Sequence, residues 1–308
     1  MHANDLFATI TDQLVADIEA GAGAWRMPWH TLADAGTPLS IDHRPYRGLN
    51  ALWLPMVAVS EGWTSGVWAT YRGWQRHDAQ VRRGEKGTQV VLWKPTTAKT
   101  DADDSDEASG TRRRLLARAY TVFAAEQVDG AEEIIARRAH QLAARDTPER
   151  IEAAEAFFAR VGAHVVEGGN RACYQPATDT IHLPPLSQFD EAAQFYATSA
   201  HEHVHWTGHA DRLARDLTGR FGSDAYAAEE LVAELGAAMW CAQFAISAVT
   251  RPDHAAYLAG WLRVLRTDAR ALVTVSSRAQ AAVDHLAACA GIAAPSQESD
   301  TTEASEAA

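Results

Sequence analysis

The sequence predicts an α+β protein in two parts: a small mixed α/β unit over residues 1–130, then a mainly helical unit with a small β-sheet over 147–292. Three observations predict it. Short β-rich runs (67–71, 89–93, 119–123) are interleaved with short helical segments in the first half. Long helical periods fill the second half, the central one holding His201-Glu202-His203-Val204-His205. The composition, 47% hydrophobic over 308 residues, is that of a globular chain with room for about two cores.

In order, Leu6, Phe7, Ile10, Leu14, Val15 and Ile18 recur at helical spacing, predicting a helix over 4–20 that Gly21, Gly23 and Pro28 end. Arg44-Pro45-Tyr46-Arg47-Gly48-Leu49-Asn50 reads as a turn opening a helix through Trp53 and Met56. A strand over 67–71, a short helix over 72–79 and a turn on 83–87 lead into the β-run 89–93. Residues 97–112, polar and acidic, read as a flexible insertion in a hairpin whose second strand is 119–123. The unit boundary falls near 130–147, where the pattern turns helical. Residues 163–167 and 172–174 read as a hairpin across Gly168-Gly169-Asn170, and 180–183 as another strand. Helices follow over 189–208, 224–247, 253–266 and 268–290, and 293–308 reads as a disordered acidic tail.

The net charge of −12 argues against a generally basic nucleic-acid coat. Three scattered cysteines, without CxxC spacing, point to a reducing cytoplasm. The N-terminus has neither a basic nor an apolar signal region, and no apolar run reaches membrane-spanning length, so no signal peptide and no membrane partner are expected.

On a helix, His201 and His205 share a face, the placement a Zn²⁺ ion needs for two ligands, and Glu202 can act as general base on a metal-bound water. Two histidines and a carboxylate suit zinc, with Mn²⁺ or Co²⁺ as alternatives. The third ligand is expected on the helix of Tyr226 to Ala238: Glu230 is favoured, with Glu229, Glu234 and Asp211 as alternatives. Glu234, four residues on, is expected to orient a ligand histidine, and Glu229 reads equally as a first-turn acid facing the helix dipole. Ala233, Gly236 and Ala237 allow close approach of the two helices. His203, His209, His182 and Tyr226 read as packing or rim residues.

Seven of the ten tryptophans lie within the first 93 residues, and residues 41–96 carry eight Lys or Arg against four acids. Such a unit suits single-stranded nucleic acid, with cations on phosphates and rings stacked on bases. Arg44, Tyr46, Arg47, Asn50, Trp74, Arg82, Arg83, Lys86 and Lys94 are the candidate DNA contacts; Trp53 and Trp68 are expected in the core.

Across nearly its whole length the chain resembles the ArdC antirestriction proteins of conjugative plasmids and related modules of mobile elements. The resemblance rests on residues 44–50, Val81-Arg82-Arg83-Gly84-Glu85-Lys86-Gly87-Thr88, 91–94, 120–123, 201–209, Arg212-Leu213 and 226–238. It implies an N-terminal single-stranded-DNA-binding domain, a C-terminal zincin-like (gluzincin-type) metallopeptidase domain, and protection of incoming DNA from host restriction. Where the family usually has a leucine this chain has His203, and the position of Asp211 is usually a small polar residue. Two other functions stay open: a metallopeptidase acting on DNA-bound protein in repair or regulation, and a pure single-strand binder with a structural metal.

Overall fold

The computed structural model describes residues 3–20, 36–97, 113–143, 148–217, 223–247, 261–266, 268 and 270–292. The expected insertion at 97–112 lies outside these except for residue 97. The tail at 293–308, Trp25, Trp29 and most of the 253–266 helix also lie outside them.

The N-terminal half is built on a four-stranded sheet of order β1-β2-β5-β4. Its strands are β1 (Leu39–Ser40), β2 (Val67–Ala69), β4 (Thr88–Thr97) and β5 (Arg113–Ala124). β1 runs parallel to β2; the other pairs are antiparallel, with Val90 opposite Tyr120 and Val91 opposite Ala119. A small ribbon pairs β3 (Gln80–Val81) with β6 (Val128–Asp129). α1 (Ala3–Ala20), α2 (Leu49–Glu61), α3 (Tyr71–Arg76) and α4 (Glu132–Ala143) surround them. α4 packs Ile134 and Ile135 on the N-terminal core, and Arg138 donates to the Thr37 carbonyl at 2.8 Å.

Period-two alternation on β4 and β5 explains the two faces of this sheet. Val90 and Val122 join Trp68, Leu54 and Ala58 under α2, whereas Val91 on the opposite face enters the largest core. Among the described residues β4 is an edge strand, and an exposed edge is a liability. Asn50 covers it: its side chain accepts from Val91 N at 2.9 Å and donates to Val91 O at 2.6 Å, while Trp53 Nε1 donates to Gln89 O at 3.1 Å.

The C-terminal half comprises α5 (Pro148–Val161), a three-stranded sheet and the helices α6 (Ala192–Thr207), α7 (Asp224–Phe244) and α8 (Ala271–Cys289). Its strands are β7 (His164–Glu167), β8 (Cys173–Gln175) and β9 (Thr180–Leu183). The expected hairpin of the first two does not form. The order is β7-β9-β8, with β9 between them, parallel to β7 and antiparallel to β8. Burial gives the reason: Thr180, Ile181 and Leu183 are buried while all of β7 is exposed, so the apolar strand takes the centre.

The halves share a core. Leu6, Phe7, Ile10 and Leu14 of α1 and Leu49, Leu52 and Met56 of α2 belong to one apolar cluster with Ala200, Leu231, Trp240 and Leu286. Arg47, expected on DNA, pairs instead with Asp284 of α8, and Gly48 N donates to Gln280 at 3.1 Å. No helix among the described residues is long and apolar enough to cross a membrane.

Candidate metal centre

α6 presents the face of His201 and His205 to α7 across a very close contact. A Cβ on Gly236 would stand 2.7 Å from Val204 Cγ2, so the α7 backbone lies directly on the α6 side chains. Ser223 starts α7 as N-cap, accepting from Tyr226 N at 3.2 Å. The second and third turns of α7, carrying Glu229, Glu230 and Glu234, lie beside His201 and His205.

Three ligand-type side chains converge there. His201 Nε2 and His205 Nε2 are 3.1 Å apart, and the Glu230 carboxylate lies 3.6 Å from the first and 3.5 Å from the second. Two donors on a tetrahedral ion with bonds of about 2.0–2.2 Å stand roughly 3.3–3.6 Å apart, so both His–Glu230 spacings match a common ion and the His–His spacing falls just short of it. His201, His205 and Glu230 are the one group of three potential ligands this close together among the described residues. Asp211 stands apart: its side chain is 89% exposed and faces His209.

The rear nitrogens of both imidazoles face carboxylates. His201 Nδ1 is 3.2 Å from Glu234 Oε1, and His205 Nδ1 is 3.1 Å from Glu229 Oε1. At His205 this contact is a hydrogen bond, which fixes the ring and leaves Nε2 facing His201 and Glu230. Glu234 is thus placed beside one of the two imidazoles it was expected to orient. Glu229, named from the sequence only as an alternative metal ligand, faces His205 instead, and its partner Arg215 was not singled out at all. Arg215 donates to Glu229 Oε1 at 2.9 Å and Oε2 at 3.0 Å. The signal for Glu229 was its adjacency to Glu230; that for Arg215, in a loop after the helix, was absent.

Burial disfavours a charged His205, but Glu229 and Glu230 outweigh it and raise its pKa to about 10. Glu230 is likewise penalised by burial, yet His201 and His205 hold it below the usual carboxylate range. A divalent cation would balance the same carboxylates in place of a proton. Glu202 is 3% exposed and close enough to Cys173 of β8 that its charge, after burial, raises that thiol. His203 turns away from the centre: its Nδ1–H donates to Ser199 O at 2.7 Å and its ring packs on Phe158.

The expected DNA contacts divide. Trp74 is fully buried, its Nε1–H donating to Phe123 O at 3.0 Å, and Asn50 is buried against β4; neither can meet a base. Both readings are corrected because these residues complete the sheet's packing. Arg47 serves the junction with α8, and Tyr46 is half-buried on the core under α2. Arg82 bonds Glu85 at 2.9 Å and the Glu126 carbonyl. Arg44, Arg83 and Lys86 are exposed, and the side chain of Lys94 lies outside the described residues. Two exposed aromatics went unnamed as DNA contacts: Tyr71, 44% exposed, and Trp93, 46%.

Comparison with known proteins matches residues 4–123 to the N-terminal domain of anti-restriction factor ArdC, and residues 152–278 to a zincin-like metallopeptidase family. The metal-free crystal structure of antirestriction ArdC from plasmid R388 superposes with a TM-score of 0.75 at 37% identity, covering 94% of this chain and all of that one. This chain belongs to the ArdC antirestriction family. The Mn(II)-bound R388 ArdC structure matches with a TM-score of 0.72 at 34% identity, over 92% of this chain and 98% of that one. Protein y4eC of Sinorhizobium fredii (strain NBRC 101917 / NGR234) is 45% identical over 286 residues, 91% of each chain. A DNA primase TraC of Escherichia coli is 35% identical over 84% of this chain, which spans only 25% of that protein. The ArdC-like fold thus has a zincin-like second half whose three converging ligands suit a divalent metal.

Proposed function

We propose that the protein is an antirestriction factor of a mobile element, acting in the cytoplasm, that binds single-stranded DNA through its N-terminal half and carries a zinc-dependent peptidase site in its C-terminal half. The convergence of His201, His205 and Glu230, with Glu202 on the same helix turn, carries this reading. A site that only stabilises a fold needs no base beside it; Glu202 favours catalysis over a structural metal.

His201, His205 and Glu230 would hold the ion. When bound, zinc supplies Lewis acidity, polarising a scissile carbonyl and easing loss of a proton from water. Glu202 takes that proton from the attacking water and can pass it to the leaving amine. β8 borders the site and pairs only with β9 among the described residues, leaving one edge for an extended peptide to join by backbone hydrogen bonds. A protein bound to DNA is the substrate class that suits a peptidase joined to a DNA-binding half.

For DNA, the face around Tyr71 has the required chemistry. The Tyr71 ring stands edge-on to Phe123 at 6.4 Å, and Phe123 abuts Gly87 beside the exposed Arg83 and Lys86. Arg72 is exposed next to it. This gives a ring for base stacking flanked by cations for phosphate.

The test is transfer of unmodified DNA into a restricting host expressing the full chain or Glu202→Gln. The wild type is expected to protect. The variant is expected to bind metal and single strands but to lose protection; full protection by it would leave binding, not proteolysis, as the function.

A further inference from the structure

Arg215 has no part in the chemistry above, yet its side chain is only 6% exposed. Its guanidinium joins two elements. Nε and Nη2 donate to both oxygens of Glu229 on α7. Nη1 donates to Thr207 Oγ1 at 2.8 Å and Nη2 to Val204 O at 2.6 Å, both on the last turn of α6. Glu229 Oε1 in turn accepts the Nδ1–H of His205 at 3.1 Å. The connection runs unbroken from Arg215 through Glu229 to a metal-ligand histidine.

The seat for this guanidinium is built by residues directly after the His-Glu-x-x-His pattern. Gly208 has φ −75°, a value any residue adopts, so backbone freedom does not require glycine there. Space does: a Cβ would lie 3.0 Å from Arg215 Nη2, 3.0 Å from His205 O and 2.9 Å from Leu217. Thr207 supplies the acceptor and Gly208 the room.

His205 has a carboxylate at each ring nitrogen, Glu229 at Nδ1 and Glu230 at Nε2. The two have different tasks, and a bidentate Arg–carboxylate pair is the contact that restrains Glu229 to one of them. We propose that Arg215 is a positioning residue of the metal centre: it fixes Glu229 so that His205 presents Nε2 to the cation, and Thr207 and Gly208 seat it. The proposal rests on the reading of His201, His205 and Glu230 as metal ligands.

The experiment titrates the full-length, metal-stripped protein with Mn²⁺ alone and measures thermal unfolding of each metal-free form. Arg215→Met and Glu229→Gln are expected to weaken Mn²⁺ affinity about 10–100-fold. The double variant should be no weaker than the worse single one, because both break one connection. Gly208→Ala keeps the charge but displaces the guanidinium, so it should weaken binding in the same way and decides the matter if Arg215→Met does not fold. Variants that bind Mn²⁺ within about twofold of wild type, while melting lower, would make Arg215 a structural anchor and overturn the proposal. Wild-type protein that takes up no Mn²⁺ would overturn the metal reading beneath it, a result distinct from failure of Arg215 alone.

Discussion

Within the second half, neighbouring histidines have opposite fates. His201 and His205 face carboxylates on α7, while His203, between them, is 1% exposed among Phe158 and the Ser199 carbonyl. Burial lowers the His203 pKa to about 4 despite that hydrogen bond. The folded-state pKa thus lies below the unfolded value of about 6.5, so between these two pH values the unfolded chain binds more protons. His203 contributes stability that is full above about pH 6.5 and lost as pH falls toward 4, by up to roughly 3 kcal/mol. His203→Leu should remove this part of the acid sensitivity in denaturant melts at pH 7 and pH 4.5. An unchanged difference between the two pH values would show that the imidazole is not buried neutral. At this scale the sequence was most legible for the shared direction of His201 and His205, because i, i+4 spacing on a helix fixes it. It was least legible for Arg215, whose role depends on a loop path that periodicity does not encode.

Among the elements, the helix α6 and its partner α7 were readable from periodicity and from the small residues Ala233, Gly236 and Ala237. Gly236 is where the approach demands glycine. Strand order was not readable: two short strands separated by two glycines look like a hairpin, and only burial of Ile181 and Leu183 shows why β9 intervenes. The start of α2 was misread for a related reason. Asn50 sits in a basic, aromatic stretch, and its task of pairing with the β4 edge depends on a contact 41 residues away. Asn50→Ala would strand the Val91 N–H and C=O, costing about 2–6 kcal/mol, since each buried unsatisfied group costs about 1–3 kcal/mol. Denaturant unfolding should show that loss, with single-strand affinity unchanged in the folded variant. Weakened DNA binding without lost stability would restore Asn50 as a contact.

For the whole molecule, the net charge of −12 hides a first half with a local cationic surface. Composition located that surface only to within the half, because several rings that resemble stacking platforms are core: Trp68 and Trp74 are fully buried. Tyr71, Arg83 and Lys86 are what the fold leaves outside. Tyr71→Ala should weaken single-strand binding about tenfold, a stacking loss within the roughly 1–3 kcal/mol range. Arg83→Ala with Lys86→Ala should lower the salt slope by about 1.4, near 0.7 for each phosphate contact removed. Fluorescence titrations at several salt concentrations read both effects, and unchanged slopes would move the DNA to another face. The shared core of α1, α2, α6, α7 and α8 was not visible in the sequence at all, since it joins segments more than 200 residues apart.

These scales meet at the three ligands. Metal content and affinity of the full chain, compared with those of Glu230→Gln and Asp211→Asn, test them most directly. One tightly held divalent ion per chain is expected in the wild type and in Asp211→Asn, with affinity in Glu230→Gln reduced by at least the roughly 10–100-fold that loss of an outer partner costs. Wild-type affinity in Glu230→Gln, or its loss in Asp211→Asn, would contradict the site described by His201, His205 and Glu230.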